Sequence, residues 1–346
     1  MTTWCGTHNK RLAALIYREW RMNRGLYVTA GALIVLPWFV LLAPALNAPW
    51  RALHALFAAE LASIALGGPG TLTTWNVLIS GALGLGVFWN DRRRGGLTVA
   101  LAGPLSRREI LEGKLGLGWA TVAAAHLIFW GGLTAAAEGF GKASLIGNVT
   151  EAEVLAWAAA AAALAVAVAL SAAIGSAFFV ALGQVVWLAW PRVAASLVAA
   201  LTYEGPQIMR LAAAERWMLV VRDIRWLSPI GTLWPGHGLA LVYALYYAGW
   251  GGLATVLAAF LWDRAPYERL AASFYFPVLW NAVYGLMALA SGVVLAVFVH
   301  QTGWIGAPSP GHTDALAVVL AVPLWLGWRW LFTRLGWSRD PSEEGA

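Results

Sequence analysis

Residues 154–202 read VLAWAAAAAALAVAVALSAAIGSAFFVALGQVVWLAWPRVAASLVAALT and contain one charged side chain, that of Arg192. A helix needs about 20 apolar residues to cross a bilayer, so this stretch is too long for one crossing and fits two. We therefore predict membrane helices at 154–174 and 177–202, with a tight turn near Gly175. If the stretch formed one span instead, residues 203–237 would lie inside and every later span would cross the membrane in the opposite direction. Arg192 either snorkels to the interface or marks a pathway.

Apolar stretches of similar character lie on both sides of this segment. Hydrophobic residues make up 60% of the 346 residues and charged residues 12%, whereas a soluble domain carries about a quarter charged residues. This composition excludes a water-soluble globule and an intrinsically disordered chain. We predict an all-α polytopic membrane protein, a single domain over 1–346 with about eight membrane helices, whose other six spans are 26–46, 71–90, 111–137, 238–262, 274–299 and 314–334.

The distribution of basic residues predicts the orientation. The chain has 23 Lys and Arg against 17 Asp and Glu, and most of the basic residues fall on one side when the N- and C-termini are placed inside. This excess is a topology signal and not evidence for nucleic-acid binding. Residues 91–110 then lie inside, and 203–237 form an outer loop with an amphipathic helix. Residues 10–24 read as a basic amphipathic helix on the membrane surface or, alternatively, as a charged flank of the first span.

Several kinds of chemistry have no counterpart in the sequence. It contains neither a G-x-x-x-x-G-K-[ST] phosphate loop nor an H-E-x-x-H zinc motif, and it has one cysteine. We see no carboxylate near the middle of a predicted span, where ion-driven transporters often bind H⁺ or Na⁺. These observations suggest that another subunit supplies energy. Asn76, His126 and Gln184 are polar residues within spans, and they either hydrogen-bond between helices or line a pathway.

The segment between the second and third spans, residues 88–114, reads FWNDRRRGGLTVALAGPLSRREILEGK. A charged exit from a span is followed by a short apolar helix, a Gly-Pro stop, and Ser106 with Glu109 three residues later as a capping box. This pattern predicts a short helix parallel to the membrane, which a partner protein could grip. An ordinary basic loop is the alternative interpretation.

This segment resembles the first cytoplasmic loop of ABC-2 type transporter permeases. The residues that match the family pattern are Phe88, Arg92, Gly95, Leu97, Pro104, Ser106, Arg107, Glu109, Ile110, Gly113 and Lys114. Asp91 replaces the usual Glu, Gly96 the usual Thr and Ala100 one of the usual Leu. Residues 10–24 are similar to the family's amphipathic elbow helix. The two additional spans after residue 262 resemble an eight-span branch of bacterial permeases found beside separate ATPase subunits.

The resemblance implies a permease subunit in a bacterial plasma membrane. It would move an amphiphilic, drug-, peptide- or lipid-like substrate with ATP and Mg²⁺ bound to a partner ATPase, and no cofactor of its own. Two ATPase subunits would join a homodimer, or a heterodimer with a sister permease, in membrane lipid. The loop would carry the coupling helix, and the residues implied in coupling are Asp91, Arg92, Arg93, Arg94, Leu97, Leu101, Pro104, Ser106 and Arg107.

Within that interpretation, Leu97 and Leu101 would fill a groove on the ATPase, and Asp91 with the following arginines would make polar contacts there. Pro104 and Ser106 would set the turn into the third span. Two other functions stay open: a scaffold or sensor that binds an ATPase without transport, and a membrane-embedded enzyme. We expect no catalytic residue in this chain, because no convergent set of His, Asp, Glu or Ser is apparent.

Overall fold

The computed structural model describes residues 2–42, 70–93, 106–139, 141–202, 240–265 and 310–334, with isolated helical positions between 281 and 292. These residues are almost entirely helical and include no β-strand, which confirms the predicted all-α class for this part of the chain. The elements are α1 (Thr2–Leu42), α2 (Gly70–Arg93), α3 (Arg107–Gly139), a 3-10 turn (Ala143–Leu145), α4 (Ile146–Ala173), α5 (Ala177–Thr202), α6 (Ala240–Arg264) and α7 (Pro310–Arg334).

Three of the described helical segments are long and apolar enough to cross a membrane: Arg107–Gly139, Ala143–Ala173 and Leu241–Arg264. Shorter apolar helical segments lie at Ala177–Leu188 and Val319–Leu331. The predicted outer loop 203–237 and most of the predicted span 274–299 lie outside the described residues. The total of eight spans therefore stays a prediction.

Helix α4 is the centre of the first of two compact units, which also contains α1, α2, α3, α6 and residues 177–191 of α5. Of the 18 consecutive residues that are most apolar in Ala143–Ala173, 72% are buried inside the protein. The corresponding shares are 33% in α3 and 28% in α6. Its many alanines allow α2 and α6 to approach closely, as small residues do in membrane helix packing. The outer faces of α3 and α6 expose apolar side chains such as Leu127 and Val256, which suits contact with lipid.

Helices α2 and α4 approach each other closely at Gly84. A Cβ atom at this position would lie 2.8 Å from the carbonyl oxygen of Leu164 and 2.9 Å from the Cβ of Ala167. Around this contact, Tyr27, Leu83 and Val122 join Leu164 in one buried apolar cluster. The register of α1, α2 and α3 against α4 is therefore set by close packing.

Helix α1 runs without interruption through the predicted surface helix 10–24 and into the predicted span 26–46. A separate elbow helix is therefore not confirmed. The physical reason lies in Glu19, Asn23 and Tyr27, which are spaced four residues apart and share one buried face across the junction. A break near residue 25 would separate these side chains from the partners described below.

Helix α7 belongs to the second compact unit. Near its end, the guanidinium of Arg329 lies 5.5 Å from the ring centre of Trp325, and that of Arg334 lies 5.1 Å from Trp330. Pairing of Arg with Trp is typical of a helix end at the lipid headgroup level.

Candidate functional site

The two ends of the segment that resembles a coupling loop are joined by a buried ion pair. Asp91 lies near the end of α2 and Lys114 near the start of α3, and the Lys114 Nζ lies 2.5 Å from the Asp91 Oδ2. Both side chains are at most 3% exposed. The pair therefore joins the last turn of α2 to the third turn of α3, on either side of the connection between these helices.

Glu19 of α1 is the third charged member of this group. The Lys114 Nζ donates to both carboxylate oxygens of Glu19, at 2.9 and 3.0 Å. Three helices, α1, α2 and α3, thus meet at one ammonium group. We call the set Glu19, Asn23, Asp91 and Lys114 the ionic cluster.

Neutral polar groups complete the hydrogen bonding of the cluster. The Asn23 Nδ2 donates to Glu19 at 2.7 Å and to Asp91 at 3.3 Å, and the Tyr27 hydroxyl donates to Glu19 at 3.3 Å. Asn90 in turn donates to the Asn23 Oδ1. Buried charges are tolerated when paired and hydrogen-bonded, so these amides and the hydroxyl make it possible to bury two carboxylates with one ammonium.

The ring of Phe88 lies beside the cluster. The Lys114 Nζ is 5.4 Å from the ring centre, and the Arg92 guanidinium is 6.0 Å from it. The same ring packs edge-on against Trp262 of α6, with ring centres 5.3 Å apart. Phe88 therefore links the cluster to α6 and places a second cation, that of Arg92, near a site that holds one more carboxylate than ammonium.

The start of α3 is fixed by the capping box that the sequence predicts. The Ser106 backbone N–H and hydroxyl donate to the Glu109 Oε2 at 2.7 and 2.8 Å. The Glu109 backbone N–H donates back to the Ser106 hydroxyl at 3.2 Å. This reciprocal arrangement satisfies otherwise unpaired N–H groups and sets where the helix begins.

Arg107 connects this helix start to the end of α6. Its Nη1 donates to the carbonyl oxygens of Trp262 and Asp263 at 3.1 and 2.8 Å, and the Trp262 indole donates to the Arg107 carbonyl at 2.8 Å. Arg92 donates in a similar way to the carbonyl oxygen of Ser171 near the end of α4. Both flanks of the loop are thus attached to the ends of other helices.

The residues implied in coupling lie in different environments in the structure. Asp91 is buried within the ionic cluster, Arg92 and Arg107 bind helix ends, and Arg93 and Ser106 are exposed. The structure does not describe Arg94, Leu97, Leu101 and Pro104. Contacts of the whole set with an ATPase stay a prediction.

The three polar residues proposed for a pathway are all buried. The Gln184 Nε2 donates to the Ala163 carbonyl at 3.1 Å, whereas the Gln184 Oε1 and the Asn76 Oδ1 have no hydrogen-bond partner among the described residues. The His126 Nδ1 lies 2.5 Å from the Glu153 Oε1. The structure thus brings His126 to a carboxylate and does not bring these three residues together through direct hydrogen bonds.

Glu19 and Glu153 belong to the buried polar groups of the structure but are not among the residues predicted from the sequence. Glu153 directly precedes the predicted span 154–174, but α4 begins at Ile146, and Glu153 is buried within this helix, where it binds His126 of α3. The structure thus brings its carboxylate to a position near the middle of the predicted span 111–137. The spacing of Glu19, Asn23 and Tyr27, four residues apart, places three polar side chains on one helix face and could have indicated a buried polar group. Among the described residues, no group of three His, Cys, Asp or Glu could hold a metal ion.

No protein-family model, curated protein or solved structure matches this chain.

Proposed function

We propose that this chain is the membrane-spanning permease subunit of an ABC transporter, driven by a separate ATPase that grips the loop 91–110. The observation that carries the proposal is the ionic cluster: Asp91, at the start of that loop, binds Lys114, which lies two turns into α3 and also binds Glu19. The resemblance of residues 88–114 to the coupling loop of ABC-2 type permeases supports the same function.

The proposed mechanism uses these contacts as a rigid connection. When the ATPase pair closes on ATP, it displaces the loop, and the displacement reaches α2 and α3 together because Asp91 and Lys114 are tied. Glu19 passes the movement to α1, and Arg107 with Trp262 passes it to α6. Packed helices transmit such shifts between discrete arrangements because close-packed interfaces do not deform continuously.

The proposal divides the loop residues into two groups. Leu97 and Leu101 occupy the groove on the ATPase, with Arg93 and Arg94 making polar contacts at its rim. Asp91 has an internal role, because its carboxylate is bound by Lys114 and Asn23. Arg92 likewise holds the end of α4, and Pro104 and Ser106 set the entry into α3.

The wider assembly follows from the same proposal. Two copies of this chain, or one copy and a sister permease, associate with two ATPase subunits in a bacterial plasma membrane. The eight-span arrangement encloses a path for an amphiphilic substrate of lipid, peptide or drug-like character. The apolar outer faces of α3 and α6 are consistent with a membrane location.

The test is purification of the tagged full-length chain from its native membranes in a mild detergent, with mass spectrometry of what it retains. We expect a soluble ATPase in equal amount, lost in the variant Leu97→Asp/Leu101→Asp. The matched control is Lys142→Asp, which changes an exposed charge at the opposite end of α3 and should retain the ATPase. Recovery of the chain without a nucleotide-binding partner would favour a membrane enzyme. An ATPase retained by the Leu97→Asp/Leu101→Asp variant would show that the loop is not the docking site.

A further inference from the structure

His126 is an ionisable residue at the centre of an uncharged membrane segment. Residues 115–137 contain no Asp, Glu, Lys or Arg, and His126 lies midway between Lys114 and Glu138. At 1.5 Å per residue it is about 18 Å along the helix from each of those charges. Ionisable residues at such depth are rare and mark sites of function more often than sites of stability.

Glu153 lies directly beside His126. The His126 Nδ1 and Glu153 Oε1 are 2.5 Å apart, and the side chains are 3% and 10% exposed. One helical turn closer to the connection between α3 and α4, the Trp130 indole donates to the Thr150 hydroxyl at 3.0 Å. This second bond fixes the register of the two helices and therefore holds the carboxylate against the imidazole.

Apolar side chains isolate the pair from water. Phe129 and Leu133 follow His126 on the buried face of α3, and Val149 precedes Glu153 by one turn on α4; all three are at most 3% exposed. In such surroundings a net charge is costly, and an ionised carboxylate without a counter-charge is more costly than a paired one. A single proton on the pair makes it neutral overall.

The second ring nitrogen of His126 supplies an independent observation. The Nε2 is buried and has no hydrogen-bond partner among the described residues. A purely structural histidine normally has both ring nitrogens satisfied, because an unpaired polar atom in a membrane interior costs free energy. The free Nε2 is thus the atom at which a proton can arrive or leave.

We propose that His126 and Glu153 form a proton-binding site inside the membrane-spanning part of this protein. When the site is open to water, a hydronium ion gives its proton to the lone pair of the Nε2 and leaves as water. The resulting imidazolium donates from the Nδ1 to the Glu153 carboxylate, which balances its charge.

The other buried titratable groups on the described helices packed around the pair have partners of their own. They are Glu19 and Tyr27 on α1, Asp91 on α2, Lys114 on α3 and Tyr247 on α6. The first four bond to one another at the ionic cluster, and Tyr247 packs in an apolar cluster between α4 and α6. Glu151 also lies on α4 but faces outward and is exposed. Glu153 is therefore the carboxylate that governs proton binding at His126.

The test is nitrogen NMR of the full-length chain, labelled at histidine and held in lipid nanodiscs, between about pH 4 and pH 9, a range that includes the titration of ordinary Glu and His side chains. His126→Gln assigns the signal. We expect the wild-type ring to carry two N–H protons, and Glu153→Gln to move its titration at least about one pH unit lower, a tenfold loss of proton affinity. Glu151→Gln is the matched control and should leave the titration unchanged.

Two results would overturn the proposal. One is a His126 ring that stays neutral across the whole range in the wild type. The other is a titration that is identical in the wild type and Glu153→Gln, which would leave the pair as a structural hydrogen bond. If Glu153→Gln does not fold, the wild type alone decides: a ring that gains a second N–H within this pH range supports the proposal, and one that never does overturns it.

Discussion

Removal of the ammonium of Lys114 is the perturbation that probes the ionic cluster most strongly. In Lys114→Met the side chain keeps its approximate length, but Glu19 and Asp91 lose the cation that both bind at 2.5 to 3.0 Å. Two buried carboxylates then share one site without an ion-pair partner. Breaking a buried ion pair by removing one partner costs about 3 to 5 kcal/mol.

The expected change in melting temperature follows from chain length. At roughly 2.1 cal/mol/K per residue, unfolding of 346 residues carries an entropy near 0.7 kcal/mol/K. A loss of about 3 to 5 kcal/mol therefore lowers the melting temperature by about 4 to 7 °C. Thermal unfolding of the purified full chain in mild detergent, followed by tryptophan fluorescence, measures this shift.

A matched control lies on the same helix, between the start of α3 and Lys114. Arg108 and Glu112 form an ion pair at 2.9 Å whose side chains are 74% and 52% exposed. Because exposed pairs at this spacing contribute about 0.3 to 0.5 kcal/mol, Arg108→Ala should shift the melting temperature by less than about 1 °C. The triple variant Glu19→Gln/Asp91→Asn/Lys114→Met removes all three charges and should recover most of the loss. Equal shifts for Lys114→Met and Arg108→Ala would refute the reasoning.

Three further changes test the packing around the cluster by the same melting experiment. Gly84→Ala places a methyl group 2.8 Å from a backbone carbonyl oxygen of α4 and should destabilise the fold by about 1 to 3 kcal/mol. Gly131→Ala is the control and should not destabilise the fold, because a Cβ there has nothing within 4 Å. Equal melting temperatures for the two variants would contradict the close approach at Gly84. Glu109→Ala breaks the capping box and should cost about 1 kcal/mol, whereas Glu112→Ala should cost less than half of that. Trp262→Phe removes the indole donor to α3 and should cost about 1 kcal/mol, and an unchanged melting temperature would argue against that link.

The helical class could be predicted because apolar runs of membrane length leave few alternatives. The start of α3 could also be predicted, since Ser106 and Glu109 are close in sequence and their chemistry is local. By contrast, Lys114 and Glu19 are 95 positions apart. Such pairs depend on the register between helices, which is determined by close contacts such as that at Gly84. The apolar periodicity of a single helix does not predict this register.

The position of Glu153 illustrates the same limit. In the sequence it stands at the edge of an apolar run, where a carboxylate usually reads as part of a loop. Its partner His126 is 27 positions away on another helix, so no local pattern predicts that it is buried. The continuous helix α1 is a related case, because its basic first part and apolar second part differ in composition while one polar face joins them.

Cross-linking from the loop tests the proposed function most directly. Cys5 is the chain's one cysteine, so Cys5→Ser provides a background in which Leu97→Cys is the single reactive thiol, with Lys142→Cys as the matched control at the other end of α3. The chain is treated with a short thiol-to-amine cross-linker in native membranes, with and without ATP. We expect Leu97→Cys to join this chain to an ATPase subunit with an ATP-dependent yield, and Lys142→Cys to give no such product. Absence of an ATPase adduct from Leu97→Cys, or equal adducts from both positions, would contradict the proposal that this loop couples the membrane helices to ATP hydrolysis.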